Sequence, residues 1–476
     1  MDIVVNLAVF EHFFNLPPEQ MLWSFLANFA WVFFGIIFIY GALLVWLNYI
    51  RTKWSQGHKF VLLAIDIPRG NEQSPKAVEN MFTYLGGAHG SQNFYEKWFA
   101  GEYQKTFSYE IVSLEGYTQF LIRTPVEFRN LVESSVYSQY PDAEISEVDD
   151  YTQNVPQKYP DDEWDVFGSE FILQDSWYLP IRTYPDFEHP MGPSETQFKD
   201  PMASLMDLCS SLRSGEQLWM QIIIEPTGFD WVKEAMQAVD KIMGRKKKAK
   251  KSLAMKGVEA LGEASEIIYP IWGDISGDKK EEKAKTMLDL SPKEKEQVEG
   301  IYRKATKLGF NAKLRVVYVA RKEVMDKAKV FNGFVGYIKQ FGALGMNSFK
   351  PDVKVTMTKA VYFRKKPRLI RKKRNLFHNY INRSTDGREL YLLNIEELAT
   401  LWHFPIEANV KSPLIQKAPG RKADAPSSLP IIEEEMPLPV DIFTGLSEGS
   451  ENKEKDLLNN DFESSGPPPP ENLPFV

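Results

Sequence analysis

Two runs of lysine and arginine are the side chains in this sequence best placed to bind an anion. One run, RKKKAKK, covers residues 245–251, and the other, RKKPRLIRKKR, covers residues 364–374. Clustered cations bind the phosphates of a nucleic acid without reading its sequence, and near a bilayer each gains about 1 kcal/mol from anionic lipid. Solvated charge that balances acidic loops is the third interpretation, and the sequence leaves all three open. The cations are Arg245, Lys246, Lys247, Lys248, Lys250, Lys251, Arg364, Lys365, Lys366, Arg368, Arg371, Lys372, Lys373 and Arg374.

The sequence lacks the motifs of common enzyme classes. It contains no GxxxxGK[ST] phosphate loop, GxSxG nucleophile elbow, HExxH zinc motif or CxxC pair. The glycine-rich GGAHGS at 86–91 has no lysine and follows a predicted helix, whereas a phosphate loop opens one, so it indicates a turn. We therefore predict no catalytic residue and no cofactor.

The remaining polar candidates are isolated from one another. The carboxylate pairs at 149–150 and 161–162 stand in a segment rich in Tyr and Pro, which favours a solvated linker over a metal or acid–base site. Six histidines make no ligand cluster, and we expect His89 and His403 to be packing or surface residues. The single cysteine, Cys209, cannot form an internal disulfide and has the helical spacing of a buried side chain. The sequence therefore argues against an enzyme and against a metal site.

Length and composition predict more than one folded domain. The chain has 476 residues, which exceeds one ordinary core, and its 43% hydrophobic content is ample for packed cores. The formal net charge of -7 argues against a generally nucleic-acid-binding surface. Any binding of nucleic acid is therefore expected to be local to the basic runs.

One N-terminal segment predicts a membrane-spanning helix. No charged residue occurs between Glu19 and Arg51, and the run at 21–50 exceeds the roughly 20 residues that a helix needs to cross about 30 Å of hydrocarbon. Pro17 and Pro18, just before the run, suit the start of a helix. Aromatic rings lie near both ends, as is typical of membrane interfaces. The flanking residues are Trp23, Trp46, Arg51, Lys53, Trp54 and Lys59.

Charge asymmetry across this segment gives its expected orientation. Residues 1–20 carry acids but no Lys or Arg, whereas cations begin at Arg51. The positive-inside rule then predicts a single-pass protein of the plasma (inner) membrane, with its N-terminus outside and its soluble domains cytoplasmic. The apolar stretch at 3–15 is short and is interrupted by Glu11 and His12, so it is a candidate interfacial segment and not a second span.

Residues 58–151 have the element order of a ferredoxin-like domain. Period-two alternation predicts strands, and apolar residues at helical spacing predict helices between them. The order strand–helix–strand–strand–helix–strand is the split βαβ unit, with two helices on one face of a four-stranded antiparallel sheet. The predicted strands are 59–67, 104–113, 117–123 and 143–149, and the helices begin near Pro75 and Pro125.

Residues 163–362 repeat this order more loosely. A charged, mainly helical insert at about 228–308 separates the two middle strands, and its removal restores the six-element order. We therefore predict an α+β protein with two tandem ferredoxin-like domains after the membrane helix. The predicted strands are 167–183, 217–225, 311–320 and about 352–359, and the helices are near 201–212 and 322–341.

A basic segment with a short helix (363–417) and a tail (418–476) complete the chain. Asn394 is expected to cap a helix that covers ELATLWHF and ends at Pro405, since Glu397 three residues later completes a capping box. From residue 418 the composition shifts to Pro, Ser and acids, which predicts disorder.

Several long stretches resemble one protein family. They are KFVLLAIDIPRGNEQSPKAVENMF, FSYEIVSLEGYTQFLIRTPVEFRNLVESSVYSQYPDAEISEVDDY, LNIEELATLWHFP and PPPPENLP. The family comprises membrane-anchored proteins of conjugation-like, type IV secretion loci in candidate-phyla bacteria. It is similar to the N-terminal region before the motor domain of some HerA/FtsK-like secretion ATPases. The resemblance covers most of residues 15–415 and implies a partner ATPase, but it assigns chemistry to no residue.

These observations lead to one expected function and one alternative. We expect a non-enzymatic, membrane-anchored docking component of a type IV secretion-like or conjugative apparatus that recruits a cytoplasmic ATPase. Its candidate contacts are exposed sheet faces, the LNIEELATLWHF segment and the proline-rich tail, and a second copy of the chain is a further candidate partner. The alternative is a membrane-tethered module that binds DNA or anionic lipid through the basic runs.

Overall fold

The computed structural model describes residues 17–67, 71, 73–187, 199–245, 289–362 and 364–406. Over these ranges the chain is a mixed α+β fold in which a long N-terminal helix precedes an antiparallel sheet, which confirms the α+β class and the N-terminal helix of the prediction. The predictions for 3–15, for the cations at 246–251 and for the tail at 418–476 lie outside the described residues.

The first helix, α1 (Pro18–Gln56), is longer than the predicted 21–50. Its 39 residues extend roughly 58 Å, and it continues past Arg51 because Lys53, in its last turn, suits the negative end of the helix dipole. Among the described residues, α1 is the one helix long and apolar enough to cross a membrane. Most of its apolar side chains from Phe33 onward are exposed, unlike those of a core helix.

Nine strands of the described ranges form a single sheet. Its path is β4-β1-β3-β2-β6-β7-β5-β8, with β9 paired to β7, and every pairing is antiparallel. The strands are β1 Phe60–Asp66, β2 Phe107–Leu114, β3 Tyr117–Pro125, β4 Glu144–Glu147, β5 Trp164–Leu173, β6 Glu216–Pro226, β7 Gly309–Arg321, β8 Phe349–Pro351 and β9 Tyr391–Asn394.

The two predicted domains contribute the two halves of this sheet. The first half has the order β4-β1-β3-β2, and the second repeats it as β8-β5-β7-β6. The halves join where β2 pairs with β6, from Phe107 opposite Ile224 to Leu114 opposite Gln217. The described strands of residues 58–151 and 163–362 are therefore one continuous sheet.

The strand ends next to α1, here called the anchor end, are fixed by the register. Phe60 follows α1 directly, and antiparallel pairing places Pro125, Phe107 and Ile224 at the same end. The opposite ends are called the far end, and β5 begins there at Trp164.

One face of the sheet packs an apolar core under five helices. Alternate strand residues such as Leu63, Ile122, Ile222 and Val316 point into it. Cys209 is also buried there, which confirms its predicted environment, and burial raises the pKa of its thiol to about 12. The helices are α2 Pro75–Leu85, α3 Arg129–Tyr137, α4 Met202–Ser210, α7 Lys327–Lys339 and α9 Ile395–Leu401.

The other face of the sheet is covered as well, so the prediction of exposed sheet faces is wrong. The helix α8 (Lys365–Ile381) lies across it and packs Phe377 and Tyr380 onto Trp219 of β6. Residues 151–159 fill the neighbouring area with buried tyrosines, so the predicted solvated linker is a packed segment. Both predictions fail for one reason. The aromatic side chains of these segments stand among charges and prolines in the sequence, but they are buried against the sheet.

Two predicted strands have different bounds. The strand predicted at 167–183 is β5, which ends at Leu173. The strand predicted at 352–359 is a loop, and the edge strand is the short β8 before it. The Asp352 carboxylate accepts hydrogen bonds from the backbone N–H groups of Val355 and Thr356, at 3.3 and 3.2 Å, which stabilises a turn in place of a strand.

The insert and the predicted cap are present. The helices α5 (Asp230–Ile242) and α6 (Pro292–Ala305) pack together through Trp231, Val239 and Ile301. Asn394 and Glu397 form the predicted capping box, and α9 ends at Leu401, before the predicted position.

Candidate functional site

A row of four buried polar side chains crosses the middle of the sheet. The register places Glu110 of β2 opposite Gln221 of β6, Gln221 opposite Arg315 of β7, and Arg315 opposite Glu170 of β5. Gln221 donates to Glu110 Oε1 at 3.1 Å, and Arg315 donates to Gln221 Oε1 at 3.0 Å and to Glu170 Oε1 at 2.7 Å. All four are at most 1% exposed. The row therefore joins the two halves of the sheet through charge as well as backbone pairing.

The C-terminal end of α8 completes the polar row. Arg383, in a left-handed conformation (φ 49°), donates to both carboxylate oxygens of Glu110 at 3.0 and 3.2 Å and also pairs with Asp150. Arg315 donates to the backbone carbonyl of Asn379 at 2.9 Å and to that of Ser384 at 3.0 Å. The carbonyls that end a helix need donors, and the sheet supplies them here.

Ionisation in the polar row is stabilised by its partners. Burial opposes the charge of Glu110, but the charge of Arg383 and hydrogen bonds from Arg383, Ser108 and Tyr151 outweigh it and lower the pKa of the carboxyl. Burial lowers the pKa of Lys313, on β7 beside the row, to about 8, although the Glu170 carboxylate opposes this shift. The Lys313 ammonium donates hydrogen bonds to the backbone carbonyls of Thr385 and Asp386.

This geometry suits a structural role. The two carboxylates of the row accept hydrogen bonds from arginine and are at most 1% exposed. Within the same ranges, no group of three or more His, Cys, Asp or Glu could hold a metal ion. Truncating one partner of such a buried pair costs about 3–5 kcal/mol, so the row is a major determinant of how α8 is held.

Sequence reasoning missed this row, although a signal for it exists. Glu110 is the single charge of β2, and Glu170 and Arg315 stand among mostly apolar or small residues in β5 and β7. A charge in a strand that is buried on both faces requires a partner. One base and two acids at such positions therefore indicate pairing between strands.

A second buried ionic cluster holds α9. Lys304 of α6 lies 3.0 Å from Glu397, and Lys307 pairs with Glu396 and with Glu79 of α2. Every residue of α9 is buried. The helix of the LNIEELATLWHF segment is therefore part of the core, and its role as a candidate contact with a partner stays a prediction.

The two isolated histidines occupy different environments. His403 is fully buried, with Nδ1 2.9 Å from the carbonyl of Ala399 and Nε2 2.9 Å from the carboxylate of Asp200. His89 is exposed in a turn at the anchor end, beside Gly228. These are a packing position and a surface position.

The basic run at 364–374 lies at the far end, where α8 begins. Three of its cations serve the fold: Lys373 pairs with Asp165, Arg374 Nε donates to the carbonyl of Tyr159 at 2.8 Å, and Lys372 donates to carbonyls of the loop at 353–359. Arg368 lies 3.3 Å from the carbonyl of Val361.

Other cations of this run project into solvent. Lys365, Lys366 and Arg371 are exposed, as is Arg364, which precedes α8 in a left-handed conformation. Cations in the first turn oppose the helix dipole, at a cost of roughly 0.3–1 kcal/mol each. Lys365 and Lys366, in the first turn, therefore do not stabilise α8 through its dipole. From the other basic run, only Arg245 is described, and it lies 3.6 Å from Asp240.

The residues predicted to flank a membrane occupy two settings. Trp23 and Trp46 are exposed along α1, and so are Lys53 and Lys59 near its C-terminal end. Trp54 is instead packed: its ring lies 4.8 Å from that of Tyr103 and under the ammonium of Lys105. Arg51 is half-buried at the same junction. This junction attaches α1 to the anchor end.

A cleft of about 520 Å³ opens between α6 and the loops near 180–187 and 343–346. Its rim carries both signs of charge, with Arg303 3.8 Å from Asp186 and Arg182 stacked 4.1 Å from the centre of the Phe187 ring. Mixed charge around a shallow cleft suits a polypeptide segment better than a single small anion.

Comparison of the sequence with known protein families gives one match. The model of one protein family, described as a domain of unknown function (DUF8128), matches residues 64–340, which is more than half of the chain. No curated protein matches it.

Proposed function

We propose that this chain, which belongs to the DUF8128 family, is a non-enzymatic platform that α1 anchors in a membrane and that docks a cytoplasmic partner. The observation that carries this proposal is the exposure of α1: Phe34 is 72% exposed and Phe38 76%. A helix of this length and hydropathy in water would be a strong aggregation site, whereas a bilayer covers it completely.

The charges around α1 support an orientation with the sheet in the cytoplasm. Arg51, Lys53 and Lys59 follow the apolar run, and residues 1–20 contain no cation. The positive-inside rule then assigns the sheet to the cytoplasmic side of the plasma membrane.

The sheet supports a proposal of internal duplication. Each half repeats one succession of strands, with the third strand in chain order between the first and the second. This is the order of a ferredoxin-like sheet, so we take the halves to be two ferredoxin-like units fused edge to edge. The fusion and the covered second face suit a rigid platform.

The identity of the partner rests on the resemblance of the sequence stretches given above. Proteins of that kind are encoded near secretion or conjugation ATPases, so the proposed partner is a P-loop ATPase of a type IV secretion-like or conjugative apparatus. Because both sheet faces and α9 are buried, the contacts that we favour are the rim of the charged cleft and the tail at 418–476. Association with a second copy stays a further prediction.

Copurification tests this role. The detergent-solubilised full chain is used as bait in its native host, with a matched chain that ends at Lys422, where the compact unit ends. We expect a P-loop ATPase to be recovered stoichiometrically with the full chain, and its loss from the shorter chain would assign the contact to the tail. Absence of any ATPase from both well-folded baits would contradict the proposal.

One observation favours DNA over lipid in the alternative function. The exposed cations Lys365, Lys366 and Arg371 lie at the far end, beyond the start of β5. The 10 residues of β5 span about 33 Å, several times the Debye length of about 8 Å at physiological salt. Charges at that distance from the anchor end gain little from anionic lipid, so a cytoplasmic polyanion fits them better.

A further inference from the structure

A helical turn beside α1 leaves most of its aromatic surface outside the fold. We call residues 93–101 (NFYEKWFAG) the aromatic foot. Phe94 is 72% exposed, Tyr95 68% and Phe99 57%. The rings contact one another: Tyr95 stacks on Phe99 at 5.5 Å, and Phe94 lies 6.1 Å from Trp98. A contiguous exposed apolar patch of this kind marks an interaction site.

The aromatic foot is held firmly in place. Asn93 and Glu96 cap its start, since the N–H of Asn93 donates to Glu96 Oε2 at 2.8 Å and the N–H of Glu96 donates to Asn93 Oδ1 at 2.9 Å. At its end Gly101 is left-handed (φ 75°), and a Cβ there would come within 2.6 Å of the α1 backbone. Trp46 Nε1 donates to the carbonyl of Trp98 at 3.1 Å. A preformed turn loses little conformational entropy when it binds.

These contacts fix the level of the foot along α1. They involve residues 46–50, the last turn of the uncharged stretch, directly before Arg51. Trp46 and Tyr49 expose their own rings at this level, at 45% and 60%. In a bilayer that contains α1, this level is the border between hydrocarbon and headgroups, where Trp and Tyr gather.

We propose that the aromatic foot inserts into the headgroup interface of the membrane, as a second attachment next to α1. This inference rests on the proposal that α1 spans a bilayer. Lipid fits the patch better than a protein partner does, because the patch is continuous with the apolar surface of α1 and lies at its depth. Two attachments restrain the tilt and rotation of the sheet relative to the membrane, which one helix alone leaves free.

A second loop places another aromatic ring at the same end. Gly228 follows β6 at the anchor end, and a Cβ on it would lie 3.3 Å from Nε2 of His89, next to the foot. The adjacent Phe229 is 68% exposed. The anchor end therefore exposes aromatic side chains from two separate loops.

Depth-dependent fluorescence quenching tests this inference. The full chain, with Cys209→Ala to remove the buried native thiol, carries one introduced cysteine at Phe38→Cys, Phe99→Cys or Tyr117→Cys. Each cysteine is labelled with an environment-sensitive fluorophore, and the protein is reconstituted in phosphatidylethanolamine–phosphatidylglycerol vesicles. Vesicle lipids carry nitroxide quenchers in the headgroup or deep in the acyl chain. Tyr117 is a matched aromatic position, 43% exposed at the far end.

We expect the label at Phe99 to be quenched by headgroup nitroxides, the label at Phe38 by deep nitroxides, and the label at Tyr117 by neither. If the label at Phe99 stays in water while that at Phe38 is quenched, the foot is not a membrane contact, although the anchor stands. If the label at Phe38 also stays in water, the proposed anchor itself fails.

Discussion

The anchor end and the far end of the sheet expose different chemistry. The anchor end presents the rings of Phe94, Phe99 and Phe229, whereas the far end presents lysines and arginines at the start of α8. Aromatic rings suit the border of a bilayer, and cations suit a polyanion or an acidic protein surface in water. The difference fits the proposed function, in which one end of the molecule faces lipid and the other faces a cytoplasmic partner.

The polar row lies between these two ends and holds α8, the helix that carries the cations of the far end. It holds the C-terminal end of α8 over the centre of the sheet, while the N-terminal end of α8 carries the exposed cations. If the row is weakened, we expect α8 to be held less firmly on the sheet, so that its cations lose their fixed positions at the far end. The contacts of the anchor end with α1 should stay unchanged.

The largest expected effect is that of Arg315→Met. It leaves Glu170 charged and buried without its main partner, so we expect the free energy of unfolding of the full chain in micelles to fall by about 3–5 kcal/mol. Urea titration followed by circular dichroism measures it. Arg321→Met, on the same strand but exposed, is the matched control and should change it by less than about 0.5 kcal/mol. Equal effects of the two variants would show that the row does not hold the sheet.

The next effect concerns pH and Lys313. Burial lowers the pKa of Lys313 from its ordinary value of 10.5 to about 8 in the folded chain. Between these two pH values the unfolded chain binds more protons, so the free energy of unfolding contributed by this group rises with pH. We expect this rise between about pH 8 and 10.5 in the native chain and its loss in Lys313→Met. A slope unchanged by the substitution would contradict the burial of this ammonium.

A smaller, local effect is expected for Gly101→Ala. An alanine at positive φ costs roughly 1–2 kcal/mol, and its Cβ would clash with the α1 backbone. We expect faster amide hydrogen exchange in the aromatic foot and little change in the polar row. Gly87→Ala is the control, because nothing lies within 4 Å of a Cβ there. Uniform loss of protection across the sheet would mean that the foot is not a separable element.

The smallest effect is that of replacing Lys365, Lys366 and Arg371 together by Gln. If these cations contact phosphates, the slope of log K against log salt for duplex DNA should flatten by about 0.9 per lost contact. Binding to anionic vesicles should stay unchanged, because the proposed orientation places the far end away from the membrane. An unchanged DNA slope together with weaker vesicle binding would reverse the assignment of the two ends.

Local patterns predicted much of the fold. The uncharged run predicted α1, alternation predicted β2 and β3, a run of branched side chains predicted β1, an apolar run predicted β6, and the capping box at Asn394 predicted the start of α9. These signals lie within a few residues of one another, so the sequence displays them directly.

The candidate site could not be predicted in the same way, because it depends on pairs far apart in the chain. Glu110 and Arg383 are 273 positions apart, so the sequence indicates that a charge inside β2 needs a partner but not which residue supplies it. The turn at Asp352 replaced a predicted strand because its side chain competes for backbone N–H groups. The aromatic foot could not be recognised from sequence because its role depends on where it packs along α1. The hydrogen bond from Trp46 to Trp98 fixes that position, and it joins residues 52 positions apart.

Protease protection in spheroplasts tests the central claim most directly. We expect the chain to resist extraction by alkaline carbonate. The sheet should survive protease added to intact spheroplasts and be degraded once the membrane is permeabilised. Release by carbonate, or cleavage of the sheet in intact spheroplasts, would contradict a cytoplasmic platform anchored by α1.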